Sequence, residues 1–176
     1  MNETELRGRL KTLTSKQRRY DIYFLKRCFE AANMSYCLRL KVGAVAVKDN
    51  RTILDGWNGT IHGQGNCCEE ECPICHGTGF SSDMTKQFTC SRCGTDGYIT
   101  KESTIHAERN IVFYAAKKGI SLEGATMYIT HNPCMGCAQA MAAAGIVRVV
   151  YAENYRTDDG IKFLKQCNIQ VEKVEI

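Results

Sequence analysis

Between about Ser15 and Met34, apolar residues recur at helical spacing, at Ile22, Leu25, Phe29 and Ala32, which predicts an amphipathic helix. Val42–Val47 (VGAVAV) is apolar throughout and rich in valine, the pattern of a strand buried on both faces. Asp49-Asn50 marks a tight turn and Thr52–Trp57 returns as a second strand, predicting a hairpin. Further along, Thr104–Lys118 reads as a helix stopped by Gly119. Ala125–Thr130 reads as a strand, and Cys134–Ala144 as an alanine-rich helix ended by Gly145. Val147–Ala152 is a strand, Asp158–Gln166 a helix and Ile169–Val174 a last strand. This alternation predicts an α/β sandwich whose later strands run parallel. The whole unit shows no internal repeat.

Residues 62–100 break the pattern. Glycine and cysteine are dense there, apolar residues are sparse, and no helical period survives. Such a stretch cannot bury enough apolar surface to hold itself together and needs a staple such as a metal. It is read as an insertion within a single domain spanning 1–176.

The chain carries 11 cysteines. An odd count, and three Cys-x-x-Cys pairs, favour metal binding over a secreted disulfide scaffold. The opening MNETELRGRL has no apolar core and is not read as a signal peptide. No apolar run reaches the roughly 18 residues that span a bilayer. These features place the expected location in the cytoplasm, with no membrane partner. A net charge of +4 suits a phosphorylated small molecule as well as nucleic acid and decides nothing.

The sharpest chemical signal is His106-Ala107-Glu108 together with Pro133-Cys134-Met135-Gly136-Cys137. Both segments fall at predicted helix starts. Two cysteines three apart at a helix N-terminus can face one ion, and the helix dipole favours their thiolates. His106, Cys134 and Cys137 would leave one tetrahedral position open, the catalytic pattern for zinc. Water there can ionise near neutral pH. Glu108, two residues from the histidine, can act as both general base and general acid. His-x-Glu with a later Pro-Cys-x-x-Cys is the signature of zinc nucleobase deaminases.

A second cysteine set has another character. Cys72-x-x-Cys75-x-Gly-x-Gly is followed by Cys90-x-x-Cys93-x-Gly-x-Gly. Four thiolates close a tetrahedral shell, so Cys72, Cys75, Cys90 and Cys93 predict a structural zinc. The repeat resembles the zinc-binding segment of DnaJ-type chaperones, here in two copies. The insertion could bind a partner, or simply staple a long loop; with only scattered aromatic and basic residues, the second is preferred. Cys37 and Cys67 are candidates for a further metal site or else buried free thiols. Cys28 and Cys167 lie on apolar helix faces and are read as core. His131 either touches ligand or is a satisfied loop histidine.

The chain resembles the deoxycytidylate (dCMP) deaminases of phages and eukaryotes over about Met34–Ile176. The resemblance rests on KVGAVAV from Lys41, Gly56-Trp57-Asn58-Gly59, Gly65-Asn66-Cys67-Cys68, HAERN from His106, GATMYIT from Gly124, and PCMGC. It implies a three-layer α/β/α cytidine-deaminase-like fold with a five-stranded mixed sheet, assembled as a homo-hexamer. It implies hydrolysis of dCMP to dUMP and ammonia for the dTMP pathway. It also implies activation by dCTP and inhibition by dTTP with magnesium, and residence in the host cytoplasm for a phage-encoded member. By the same resemblance Asn58 and Tyr155 contact substrate, and Gly59, Gly63, Gly65 and Asn66 lie near the effector triphosphate. Trp57 stands where the family commonly has tyrosine, Asn132 where phage members often have serine, and the double knuckle is not general.

Two rivals are of other kinds. One is a zinc deaminase of another base, of the tRNA adenosine or riboflavin-pathway type. A polynucleotide editor, though, would need stacking aromatics along a basic stripe, which the sequence does not concentrate. The other is a non-catalytic zinc-binding protein, disfavoured by the presence of Glu108.

Overall fold

The computed structural model describes residues 3–80 and 88–176, with side chains from residue 16 onward in the first helix. Helix α1 (Glu3–Ala32) leads into the hairpin β1 (Gly43–Lys48) and β2 (Arg51–Trp57). A small pair follows, β3 (Glu69–Glu71) and β4 (Tyr98–Thr100). The chain then alternates: α2 (Ala107–Lys118), β5 (Thr126–His131), α3 (Met135–Ala143), β6 (Arg148–Glu153), α4 (Asp159–Gln166) and β7 (Gln170–Lys173).

Five strands form the main sheet in the order β2-β1-β5-β6-β7. β1 pairs antiparallel with both β2 and β5, while β5, β6 and β7 run parallel. The sheet is therefore mixed and sandwiched between helical layers, in agreement with the expected α/β/α fold. Strand side chains alternate between two cores. Ala44, Ala46, Met127, Ile129 and Val149 face α2, α3 and α4. Val45, Val47, Tyr128 and Val150 face α1, meeting Phe24, Leu25 and Cys28. Both faces are buried, so the central strands read as unbroken apolar runs.

Helix α1 begins at Glu3, well before the expected Ser15. Its first turns carry Leu6, Leu10 and Leu13 at i, i+4 and i+7, a helical spacing among otherwise polar residues, and no proline interrupts them. Cys28 is buried as expected, but Cys167 is exposed. It follows the last residue of α4 as the C-cap, past the stretch of that helix that meets the sheet.

Away from the motif-bearing end of the sheet, Asp21 is buried beneath Arg148. Their two nitrogen–oxygen contacts are 2.8 and 3.0 Å, and Tyr128 Oη donates to Asp21 at 2.8 Å. This network ties α1 to β5 and β6. Among the described residues, no helix is long and apolar enough to cross a membrane.

Between β2 and α2 the chain leaves the sheet and returns. Gly59 and Ile105 exchange both backbone hydrogen bonds, at 3.0 and 2.8 Å. The excursion is short of apolar residues, and its own core is Cys72, Cys75, Cys90, Cys93 and Ile99. Its two cysteine turns pack backbone to backbone. Gly97 and Gly79 both have positive φ, and a Cβ on either would stand 2.2 Å from Gly77 O or 2.4 Å from Thr95 O. That close approach accounts for the glycines the repeat carries.

Candidate metal centre and catalytic cavity

His106 caps the N-terminus of α2 in extended conformation, and Cys134 does the same for α3. Glu108 and Cys137 follow within the first turns of the same two helices. The two helices pack side by side on one face of the sheet, so their N-termini converge. Cys134 Sγ and Cys137 Sγ lie 3.5 and 3.4 Å from His106 Nδ1. Tetrahedral zinc with Zn–S about 2.3 Å and Zn–N about 2.05 Å requires an S···N separation of about 3.5 Å. The donor set and its spacing fit such an ion.

The helix following β6 braces this turn. Gly160, in the first turn of α4, meets Pro133 O so closely that a Cβ would lie 2.1 Å from it. Asn132, just before, is buried and holds the β6–α4 loop: its amide donates to Thr157 O at 2.8 Å, and its carbonyl oxygen accepts from Tyr155 N.

Glu108 is 3% exposed. Burial pushes its carboxyl above the ordinary range, against the opposing pull of nearby hydrogen bonds and of His106. A carboxyl raised in this way is better matched to exchanging protons with a substrate than an ordinary surface carboxylate. In the cysteine pair, the hydrogen bond from Cys137, then that from His106, draws Cys134 down to about 3, while Cys137 is pushed up. Hydrogen bonding to Cys134 also raises His106. The thiol at the helix N-terminus is thus the readily ionised one.

An inner cavity of about 70 Å³ opens before these residues, lined among others by Asn58, Thr104, Glu108, His131 and Tyr155. Asn58 does reach this wall, but its side chain is engaged: Oδ1 accepts from Val42 N and Nδ2 donates to Leu40 O, both at 2.8 Å. It braces the chain entering β1 while facing the cavity. His131 is satisfied on both ring nitrogens, by Thr130 Oγ1 and Glu153 Oε2, each at 3.0 Å, and still forms part of the wall. The glycine-rich stretch is elsewhere. Gly63, Gly65 and Asn66 lie exposed on the excursion, and only Gly59, at its neck, is partly covered.

Two wall residues were not legible beforehand. Thr104 is buried and donates to Cys68 O. Glu69 is buried with Oε1 accepting from Leu38 N and Arg39 N, at 2.9 and 3.2 Å. Glu69 opens the run Glu69-Glu70-Glu71, which reads as a solvated face; only pairing in β3 turns its first member inward.

The second cysteine set also converges. Cys72 Sγ and Cys90 Sγ are 3.7 Å apart, Cys75 Sγ and Cys93 Sγ 3.4 Å, against about 3.8 Å for two thiolates on tetrahedral zinc. All four are buried. Among the described residues these two sets are the groups of three or more potential ligands that come together.

Cys37 and Cys67 do not. Cys37 is disulfide-bonded to Cys68, with Cα atoms 5.1 Å apart. Cys67 is exposed, its thiol directed to Glu69 O at 3.2 Å. Successive residues of an extended chain face opposite sides, so the one beside Cys37 is Cys68. Both readings of Cys37 and Cys67, a third metal site or buried free thiols, are corrected: Cys37 is disulfide-bonded and Cys67 is free but exposed.

Residues 18–153 match the family described as "Cytidine and deoxycytidylate deaminase zinc-binding region". The ComE operon protein 2 of Bacillus subtilis (strain 168) is 36% identical over 155 residues, covering 88% of this chain and 70% of that protein. The deoxycytidylate deaminase of Enterobacteria phage T4 is 36% identical over 137 residues, covering 69% of this chain and 71% of that protein. Among solved structures, the dCMP deaminase of cyanophage S-TIM5 in complex with dCMP and dUMP superimposes with a TM-score of 0.70 at 34% identity, covering 86% of this chain and 94% of that one. By its zinc-binding region, its sheet order and its relatives, this chain belongs to the cytidine and deoxycytidylate deaminase family.

Proposed function

We propose that this chain hydrolyses dCMP to dUMP and ammonia. The observation that carries the reading is Glu108, a buried carboxyl with a raised pKa beside the converging His106, Cys134 and Cys137. Support for the substrate comes from the phage relatives, which are named for dCMP.

His106, Cys134 and Cys137 would hold zinc, whose Lewis acidity at this position makes the hydrolytic nucleophile available at neutral pH. Glu108 accepts a proton from the attacking water and passes it to N3 of the cytosine as the oxygen adds at C4. It then moves the second water-derived proton to the exocyclic amine. The C4–N bond breaks, ammonia departs and a C4 carbonyl remains. Asn58 and Tyr155 hold the nucleotide at the cavity wall, Asn58 through a side chain kept rigid by Val42 and Leu40.

Cys72, Cys75, Cys90 and Cys93 hold a second, structural zinc within the 62–100 insertion; four converging buried thiols with sulfur spacings near tetrahedral values support this. The reading extends to control of nucleotide supply. On it, dCTP activates and dTTP inhibits, with magnesium, at Gly59, Gly63, Gly65 and Asn66. Its support is the family resemblance and an exposed, glycine-rich loop whose amides suit phosphate. The working form is a homo-hexamer in the cytoplasm, or the host's if phage-encoded, supplying the dTMP pathway.

Ammonia release from dCMP, CMP, deoxycytidine, dCTP and a cytosine-containing oligonucleotide, with and without effectors, tests this. Turnover preferring dCMP is expected. Preference for any other member overturns the substrate, and no response to either effector overturns the regulation.

A further inference from the structure

Beyond the inner cavity lies an outer cleft of about 460 Å³, which shares His106, Asn132, Cys134 and Tyr155 with it. A ligand seated over the catalytic residues therefore has one continuous path outward. The walls of that path are unlike those of the inner cavity. Five cationic side chains line it, Arg39, Arg92, Lys101, Arg109 and Arg156, against one carboxylate, Glu102.

Three of the five already have partners. Arg39 is bonded to Asp96 at 3.0 Å, Lys101 donates to Cys67 O at 2.9 Å, and the Arg156 guanidinium lies 4.9 Å from the Tyr155 ring centre. Two have capacity left. Arg109, in the first turn of α2, has a buried Nε with no hydrogen-bond partner. Arg92 is exposed; its backbone is bonded to the Cys90 thiol, while among the described residues its guanidinium has no hydrogen-bond or ion-pair partner.

Arg92 stands between Cys90 and Cys93, so the second cysteine turn fixes where it sits. Three residues past Cys93 comes Asp96, which accepts two hydrogen bonds from the Arg39 guanidinium. The insertion thus builds one side of the catalytic approach as well as closing on itself.

We propose that Arg92, carried by the second cysteine turn, binds the 5′-phosphate of the nucleotide in this outer cleft. Arg109 faces the same group from α2, and Asp96 keeps Arg39 beside them. A guanidinium matches a phosphate bidentately, and its ligand here is a phosphate monoester joined to a base held within. The insertion then selects the phosphorylated substrate over the nucleoside. This rests on the dCMP reading above.

The test is calorimetric binding of dUMP, deoxyuridine and a short oligodeoxynucleotide to zinc-loaded wild type, R92A and R92K, with the KM and kcat of dCMP turnover alongside. Arg92 is exposed, so R92A is expected to fold. The ratio of dUMP to deoxyuridine affinity should fall about tenfold in R92A, the scale of one charge-assisted contact, and recover in part in R92K. KM for dCMP should rise by a similar factor with kcat changed less. If wild type prefers dUMP and R92A keeps the same ratio, the role of Arg92 is overturned while the substrate stands. If wild type shows no preference for the phosphorylated ligand, both fall. Oligonucleotide bound through Arg92 more tightly than dUMP would replace the monoester with a polynucleotide.

Discussion

Gly160 and Pro133 touch backbone to backbone, so that a Cβ on the glycine would stand 2.1 Å from the proline carbonyl oxygen and 3.0 Å from Cys134 O. The contact presses α4 against the turn that presents Cys134. Neither neighbour is a side chain that can swing aside. Gly160→Ala should therefore shift the catalytic turn, lowering stability by about 1 to 3 kcal/mol and dCMP turnover by at least tenfold. Thermal unfolding together with steady-state kinetics checks this; unchanged turnover would mean the turn tolerates displacement.

Glu108→Gln preserves shape but removes the proton carrier. Metal content should stay at the wild-type level, while kcat falls by about a hundredfold to ten-thousandfold, the span of general acid–base catalysis. Metal analysis and ammonia release measure the two halves separately. Near-normal turnover would remove Glu108 from the mechanism.

Cys72→Ser acts on the other thiol set. About one equivalent of zinc should be lost and one retained, because no residue is shared between the clusters. Loss of both equivalents together would indicate that the insertion and the catalytic centre do not bind independently.

Asp21 offers a pH signature. Burial alone would raise its pKa, but hydrogen bonds from Arg148, Gln17 and Tyr128 outweigh this and hold it below the ordinary 3.8. A folded-state pKa below the unfolded one means stability that is fully present above pH 3.8 and is lost as pH falls through the folded value. Asp21→Asn should cost about 2 to 3 kcal/mol at neutral pH, by leaving Arg148 short of a buried partner. It should also flatten the acid limb of the stability curve. Denaturation midpoints between pH 2 and 7 would show it; parallel curves for variant and wild type would count against the pair.

The legible parts of this protein were those set by near neighbours in sequence. VGAVAV announced a doubly buried strand because its own residues must satisfy both faces. His106, Glu108, Cys134 and Cys137 were readable because two local spacings at helix starts suffice to describe the centre. Pairings across long separations were not. Cys37 found Cys68 rather than Cys67 because the backbone at residue 68 turns inward, a matter of extended-chain alternation. Glu69 sits inside an acidic triplet whose composition says solvent. Arg92 looked like one scattered basic residue until the second cysteine turn was placed beside the cleft.

The Gly59–Ile105 bridge gives the excursion a narrow neck: two backbone hydrogen bonds bring its ends together beside the sheet. Closing a longer loop over the same neck costs only about 0.6 kcal/mol for each doubling of length. The sheet register between β1, β2 and β5 is therefore insulated from what the neck carries. Segments of quite different size could be exchanged there without re-pairing a strand, so this neck is where lineages sharing the catalytic centre can diverge most freely in how they approach a substrate.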